Sequence, residues 1–333
     1  MEKLLSTKTD LKFVPESYIL PPDTRPGNTE VPFFETIPVI DLKGESAQLI
    51  PQITDASKEY GFFQLINHGV EEKLLQDVLD VTKEFFELPA EDKATIFSDD
   101  PKQSCRLYTS IDYMNEQVHY WRDALKHPCH PLEEHSQFWP QKPAQYREMV
   151  GRYSVEVWKL SLCLMDLISE GLGLEPGYLT EMIEVQLMSA NHYPACPDPS
   201  LTLGLPKHGD VDFITILLQE MDGLQVLKDG HWLAIKPLPN AFVVNIGHTL
   251  QIISNGKLKS VEHRVVTNQK LARTTVSSFI YPSYNRQIEP AQVLIKDNSL
   301  PLYRAFIFKD FLDTYITDTY QRKPPLERYK LQV

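Results

Sequence analysis

The sequence predicts a mixed α/β protein with a mainly β core: a jelly roll carrying an N-terminal helical layer and a C-terminal closing helix. Three observations predict it. Apolar residues recur at helical spacing in the first half of the chain. From Ile183 onward the pattern changes to short β-like runs separated by turn residues. Many short, evenly spaced strands suit a sandwich or barrel, and a jelly roll fits them best. A chain of 333 residues is long enough for one large domain or two small ones. No internal repeat or low-complexity linker divides it, so one integrated unit is expected. Within it, residues 1–185 form a helical and substrate-loop region, 186–300 the jelly-roll core, and 301–333 a lid helix and tail.

The elements follow in order. The first thirty-odd residues, rich in Pro and polar side chains, read as an extended arm, and Ile37 to Leu42 as a short strand. Ser46 to Glu59 and Glu71 to Glu87 are predicted helices; the second places Leu74, Leu75, Val78, Leu79, Val81, Phe85 and Phe86 at helical spacing and stops before Pro89. Residues 98–140 mix Tyr, Trp, His and Pro without a period and read as a substrate-facing loop region with short strands. Pro143 to Gly171 is one long amphipathic helix, and Glu175 to Met182 a shorter one. Strands are expected at Phe213–Gln219, Leu224–Leu227, Trp232–Ile235, Phe242–Ile246, Val261–Val266 and Thr274–Tyr281. Turn signals lie at Met221-Asp222-Gly223, Lys228-Asp229-Gly230 and Ser254-Asn255-Gly256. Phe306 to Thr317 would close the barrel mouth.

Composition excludes several roles. A net charge of −12 without a basic tract leaves nothing to neutralise phosphates, so no nucleic-acid partner is expected. No apolar run approaches the length of a membrane span, and the N-terminus lacks the apolar core of a signal peptide. Four scattered cysteines (Cys105, Cys129, Cys163, Cys196) fit reduced thiols and a cytoplasmic location. A monomer is the simplest expectation.

The chemistry concentrates in His208-Gly209-Asp210, His263 and Arg273. Side chains i and i+2 of a strand point the same way, so His208 and Asp210 would face one space. His263, in another strand-like run, would supply a third ligand. Two imidazoles and a carboxylate on one face of an octahedron leave three positions open, the arrangement of non-haem Fe(II) oxygenases. Taken alone, a His-x-Asp pair is commonly just a hydrogen-bonded surface pair. Arg273 changes the odds, because its planar fork can grip a carboxylate in two places. Thr275 projects from the same face and offers a hydroxyl.

Longer motifs point the same way. Ile37-Pro38-Val39-Ile40-Asp41-Leu42, Gly61-Phe62-Phe63-Gln64-Leu65-Ile66-Asn67-His68-Gly69, Asn191-His192-Tyr193-Pro194, Val243-Val244-Asn245-Ile246-Gly247 and His263-Arg264-Val265-Val266-Thr267 together resemble the plant 2-oxoglutarate and Fe(II)-dependent dioxygenases, nearly end to end. Tyr120-Trp121-Arg122-Asp123 and Cys129-His130-Pro131-Leu132 bring the chain nearest to the hyoscyamine 6-hydroxylase-like members. The resemblance implies a double-stranded β-helix with helices packed outside. It implies His208, Asp210 and His263 as iron ligands, and Arg273 with Thr275 as the clamp for 2-oxoglutarate. Tyr193 and Asn191 would line the co-substrate site, O₂ would be the oxidant and ascorbate the reductant. The reaction would be oxidation of a small specialised metabolite such as an alkaloid or a phenolic or flavonoid. Hydroxylation is the default, with desaturation, epoxidation or demethylation as other outcomes. The chain departs from the family pattern at three places. The clamp reads Arg-x-Thr instead of Arg-x-Ser. His192 replaces a tyrosine and is expected to be packed or solvent-facing. Ser110 stands where the alkaloid hydroxylases carry a carboxylate.

Phe279, at alternating spacing from Arg273 and Thr275, is expected to face the substrate, with Tyr108, Trp121 and Phe213, and then Tyr113 and Phe306, as further candidates. His127, Cys129, His130 and His135 lack the spacing of a zinc site and read as loop polar residues. His231 and His248, near turns, are expected to hydrogen-bond locally. Three rival readings stay open at this level: a binding protein that kept the fold without turnover, an Fe(II) oxidase independent of 2-oxoglutarate, and a cupin-like isomerase using zinc or nickel.

Overall fold

Helix-period and strand-period segments fold close to where their apolar spacing places them. The computed structural model describes residues 3–8, 11–295, 300–320 and 323–331, apart from the side chains at 316, 319 and 320. The N-terminal half contains β1 (Val39–Asp41), α1 (Ser46–Glu59), β2 (Phe62–Ile66), α2 (Glu72–Glu87), the single turn α3 (Ala90–Lys93), β3 (Arg106–Thr109), β4 (Asp123–Pro128), the single turn α4 (Leu132–His135) and α5 (Tyr146–Leu172). Then come β5 (Ile183–Tyr193), β6 (Leu205–His208), β7 (Ile214–Gln219), β8 (Leu224–Lys228), β9 (His231–Ala234), β10 (Phe242–Ile246), α6 (His248–Ile253), β11 (His263–Val265) and β12 (Arg273–Pro282). The short pair β13 (Gln287–Ile288) and β14 (Phe306–Ile307) precedes the closing helix α7 (Phe308–Tyr320).

Helix α2 buries Leu74, Leu75, Val78, Leu79, Thr82, Phe85 and Phe86, the i, i+3, i+4 stripe that the spacing predicts. Each large side chain so buried contributes roughly 1.5–3 kcal/mol. Helix α5 runs 27 residues and stops because Gly173 takes a left-handed conformation (φ 72°), returning its N–H to the carbonyls of Glu170 and Ser169. The shorter helix expected at Glu175–Met182 is replaced by turns and a 3-10 turn, Thr180–Met182. Pro176-Gly177 explains the correction: Gly177 adopts φ 82°, which a helix cannot continue through.

Eight strands form one sheet in the order β1-β2-β10-β7-β12-β5-β4-β3, and four form the opposing sheet β6-β11-β8-β9. Together they make the jelly roll. The large sheet runs across residue 185, because β2 pairs with β10 and β4 with β5. The loop region between residues 98 and 140 therefore contributes two strands to the same sheet as the core. Strand β12 sits between β5 and β7, with Arg273 opposite Tyr193 and Thr275 opposite both Asn191 and Gln219. One main apolar cluster lies between the helices and the outer face of this sheet. The inner faces of the two sheets border a cavity of about 1950 Å³. No described helix is long and apolar enough to cross a membrane.

Candidate metal and co-substrate site

His208 and His263 are 55 residues apart in sequence but are direct cross-strand partners on β6 and β11. Their ring centroids are 4.3 Å apart. Asp210 arrives differently from the sequence expectation. Strand β6 ends at His208, so the carboxylate comes from the turn beyond it instead of the i+2 position of one strand. A Cβ at Gly209 would lie 2.6 Å from His248 Cε1, which leaves room only for glycine between the two ligating residues. The turn is pinned from both sides: the Tyr315 hydroxyl donates to the Gly209 carbonyl (2.6 Å), and the His248 backbone N–H to the Asp210 carbonyl (2.7 Å).

Asp210 Oδ1 lies 3.6 Å from His208 Nε2 and 3.7 Å from His263 Nε2. Ligand atoms of all three residues fall within 4.8 Å of one another, so one metal ion can touch all three. The far side of each ligand is committed elsewhere. His208 Nδ1 faces the Pro206 carbonyl at 2.8 Å, and His263 Nδ1 the Val261 carbonyl at 3.2 Å, which directs each Nε2 lone pair inward. Asp210 Oδ2 accepts from Thr215 Oγ1 (2.5 Å) and Asn245 Nδ2 (2.8 Å), leaving Oδ1 for the metal. Asn245 and Thr215 are themselves partners across β10 and β7. Replacing Asn245 by Ala, or Thr215 by Val, is expected to weaken Fe(II) binding by about 10- to 100-fold. Metal titration of the purified variants checks this.

Electrostatics prepare the ligands. Burial pushes His208 down to about 4, with His263 adding to the effect, so the ring is neutral at physiological pH. Burial opposes ionisation of Asp210, yet the two imidazoles, Thr215 and Asn245 hold it below the ordinary carboxylate range. The neutral His208 nitrogen and the anionic Asp210 oxygen need lose no proton to receive a dication. Neighbouring Asp212 is pushed well above its ordinary value by burial and by the Asp210 charge. Its Oδ2 lies 3.0 Å from Thr215 Oγ1. A hydroxyl has a single proton, so with Thr215 donating to Asp210, a protonated Asp212 can donate in turn.

Burial likewise depresses His127 to about 3 and both His192 and His248 to about 4. The unfolded chain takes up these protons first, because a free imidazole titrates near 6.5. Stability of the metal-free protein is therefore full above pH 6.5 and is lost as pH falls toward 4. Each of the four histidines contributes a slope of up to about 1.4 kcal/mol per pH unit. Urea unfolding at pH 7.5, 6 and 5 measures the slope, and a flat profile would count against neutral buried rings.

Arg273 is buried at the head of β12. Its Nη2 donates to Gln219 Oε1 (2.7 Å) and its Nε to the Met221 carbonyl (3.2 Å), with the guanidinium 5.3 Å from the Tyr193 ring centre. These contacts aim the fork without neutralising it. Thr275, Ser277, Phe279 and Tyr281 follow at alternate positions and line the cavity with Arg273, as the period-2 reading expects. Tyr193, Asn191 and Tyr108 line it too. Trp121 and Phe213 do not, and both are corrections. Trp121 is buried beside Tyr18 and donates to the Pro194 carbonyl (2.9 Å), while Phe213 belongs to the main apolar cluster. Both lie in bends just ahead of strands, Trp121 before β4 and Phe213 before β7, and neither lines the cavity. Tyr113 stacks on His119, and Phe306 packs on Phe311 and Tyr329. His192 is packed, stacked on Phe86 and bonded to Thr274 Oγ1 (2.9 Å). His248 corrects another expectation: its ring is buried with neither nitrogen hydrogen-bonded among the described residues.

Four residues of the site escaped sequence reasoning: Thr215, Asn245, His248 and Arg122. A polar Asn inside the apolar run Phe242–Ile246 was a usable signal for Asn245, since a buried amide must find a partner. Arg122 bridges two elements, donating to the Ser110 carbonyl (2.7 Å) and to Asn191 Oδ1 (3.1 Å). Nothing local in the sequence marks that contact.

Comparison with known proteins meets this geometry. The model of the 2OG-Fe(II) oxygenase superfamily matches residues 184–282, and that of the non-haem dioxygenase in morphine synthesis N-terminal region matches residues 37–146. Hyoscyamine 6-dioxygenase of Hyoscyamus niger is 42% identical, over 97% of both chains. The chain belongs to the 2OG-Fe(II) oxygenase superfamily. Flavanone 3-dioxygenase 2 of Oryza sativa subsp. japonica is 41% identical, covering 98% of this chain and 97% of its own. Among solved structures, JOX2 in complex with 2OG, Fe and JA superposes with a TM-score of 0.85 at 32% identity, covering 98% of this chain and 96% of that one. This oxygenase is thus a dioxygenase that uses Fe(II) and 2-oxoglutarate, and its donor set fits the metal: two imidazole nitrogens and one carboxylate oxygen around a single point.

Proposed function

We propose that His208, Asp210 and His263 hold Fe(II), and that Arg273 with Thr275 grips the far carboxylate of 2-oxoglutarate beside Tyr193 and Asn191. The enzyme then hydroxylates a small specialised metabolite. The observation that carries this reading is one cavity bordered both by the three ligand side chains and by a guanidinium that has no ion pair within 4 Å among the described residues. Fe(II) and 2-oxoglutarate, when bound, supply the power to activate O₂ and take hydrogen from an unactivated carbon. The chain's own part is geometric. Asn245 and Thr215 fix the Asp210 carboxylate, Pro206 and Val261 fix the ring tautomers, and Gln219 aims Arg273. Phe279 on β12 and Tyr108 on β3, both bordering the cavity, offer aromatic surface to the substrate.

The curated relatives named for hyoscyamine and flavanone support a substrate in the size class of alkaloids and flavonoids. Desaturation, epoxidation or demethylation would call on the same oxidising power. A monomer in the cytosol, with ascorbate as reductant, completes the reading; the net charge of −12 and the four free cysteines support it. The test is incubation of purified protein with Fe(II), ascorbate, 2-oxoglutarate and a plant metabolite extract. Mass spectrometry should find succinate together with products heavier by one oxygen or lighter by two hydrogens. Absence of succinate under all conditions would instead favour a sensor on this fold.

A further inference from the structure

The inner face of the large sheet carries a second positive site, separate from Arg273. Strand register builds it. Arg106 on β3 lies directly opposite Lys126 on β4, and Lys126 lies opposite Ser189 on β5. One row along, Tyr108, Ala124 and Asn191 stand in line, with Arg122 at the end of the strand. The Arg106 guanidinium sits 4.1 Å from the Tyr108 ring centre and that of Arg122 at 5.5 Å, with Arg122 Nη2 3.5 Å from the Tyr108 hydroxyl. Two guanidiniums thus flank the Tyr108 ring, and the register sets Lys126 across from one of them.

Like charges directly opposite on neighbouring strands destabilise a sheet, so an Arg–Lys pair across β3 and β4 needs a reason. No carboxylate is among the groups whose charge acts on Lys126, and among the described residues its ammonium has no hydrogen bond or ion pair. Burial and the two arginines hold Lys126 below its ordinary range, while the same three cations hold Tyr108 below the usual phenol range despite its burial. Glu116, which also borders the cavity, is already occupied by His119 Nδ1 (2.8 Å) and the Asp112 N–H (3.2 Å). Lys126, Tyr108 and Arg122 line the same cavity as the metal ligands. A positive cluster partly withdrawn from water, with Arg122 buried, Arg106 and Lys126 half-buried and no carboxylate paired to Lys126 among the described residues, suits an anion.

We infer that the metabolite oxidised here is an acid, whose carboxylate binds between Lys126 and the Tyr108 hydroxyl while its far end reaches the metal site. The inference rests on the dioxygenase reading above and adds the substrate class. Scale agrees with it. Strands β4, β5, β12 and β7 are neighbours and the register sets Lys126 in line with Leu217, which places Lys126 three strand spacings across and two residues along, roughly 16 Å, from Thr215 beneath Asp210. A lysine side chain and a one- or two-ring acid fill that span together. Arg122 is tied to Ser110 and Asn191 and acts as a fixed wall; Lys126 is the free hand.

The test uses full-length protein loaded with Fe(II) and 2-oxoglutarate under anaerobic conditions. Benzoate, phenylacetate and trans-cinnamate are each titrated beside the methyl ester and the amine of the same skeleton. At least one acid should bind about tenfold or more tightly than its ester and amine, the worth of a charge-assisted hydrogen bond. Lys126→Met should abolish that preference, Lys126→Arg should keep most of it, and 2-oxoglutarate affinity should stay at wild type in both. Equal binding of acid, ester and amine, no binding of any acid, or an unchanged preference in Lys126→Met would each overturn the inference. Separate measurement of 2-oxoglutarate binding and of succinate release without substrate distinguishes this failure from failure of the dioxygenase reading.

Discussion

Alanine at Asp210 or His263 is expected to leave a folded protein that retains no stoichiometric iron and releases succinate about 10³-fold more slowly, or not at all. The size follows from chemistry. A ferrous ion held by three protein ligands loses a third of its anchorage, and the reaction has no route without the metal. Removing Asp210 also strands Thr215 and Asn245, whose donors converge on its Oδ2. That costs about 1–3 kcal/mol of stability for each buried group left unpaired. His263→Ala is the cleaner variant, because its Nδ1 contact is only to the Val261 carbonyl. Iron content by elemental analysis, succinate release and circular dichroism together decide the matter. Wild-type succinate release from either variant would refute the ligand assignment.

The second large effect is expected at Arg273. Replacement by methionine should weaken 2-oxoglutarate binding by about 10²- to 10³-fold, because a buried carboxylate would lose its charged, two-pronged partner. Iron binding should not change, since Arg273 touches Gln219, Met221 and Tyr193 and none of the three ligand residues. Arg273→Lys keeps the charge and loses the fork, so an intermediate loss is expected. Calorimetric titration of 2-oxoglutarate into each variant supplies the measurement. Undiminished affinity in Arg273→Met would revive the oxidase reading that needs no co-substrate.

Much of this architecture is legible in the residues. The period-2 alternation of β12 places Arg273, Thr275 and Phe279 on one face, and the fold keeps them there because a pleated strand has no other choice. Tyr193 and Asn191 become their cross-strand neighbours only through register, which depends on two segments 80 residues apart in the chain. The aromatic candidates divide on the same ground. Tyr108 borders the cavity, whereas Trp121 and Phe213 are equally aromatic and face the core. Nothing in their immediate neighbours separates the cases. Helical spacing decides the structure where the apolar stripe is long, and gives way at Glu175–Met182, where Pro176-Gly177 outweighs it.

Residue types and their local periods determined the fold class, the candidate triplet His208, Asp210 and His263, and the sharing of one strand face by Arg273 and Thr275, because each depends on chemistry carried by single side chains or by alternation along one strand. Tertiary structure alone decided that Asp210 enters from a turn, that Asn245 and Thr215 steer its carboxylate, and that Arg106 and Arg122 flank the Tyr108 ring with Lys126 across from Arg106. Those facts arise from pairing between distant strands. The physical reason is that register is set by packing of the whole sheet, so a neighbour across the ladder leaves no mark on the residues beside it.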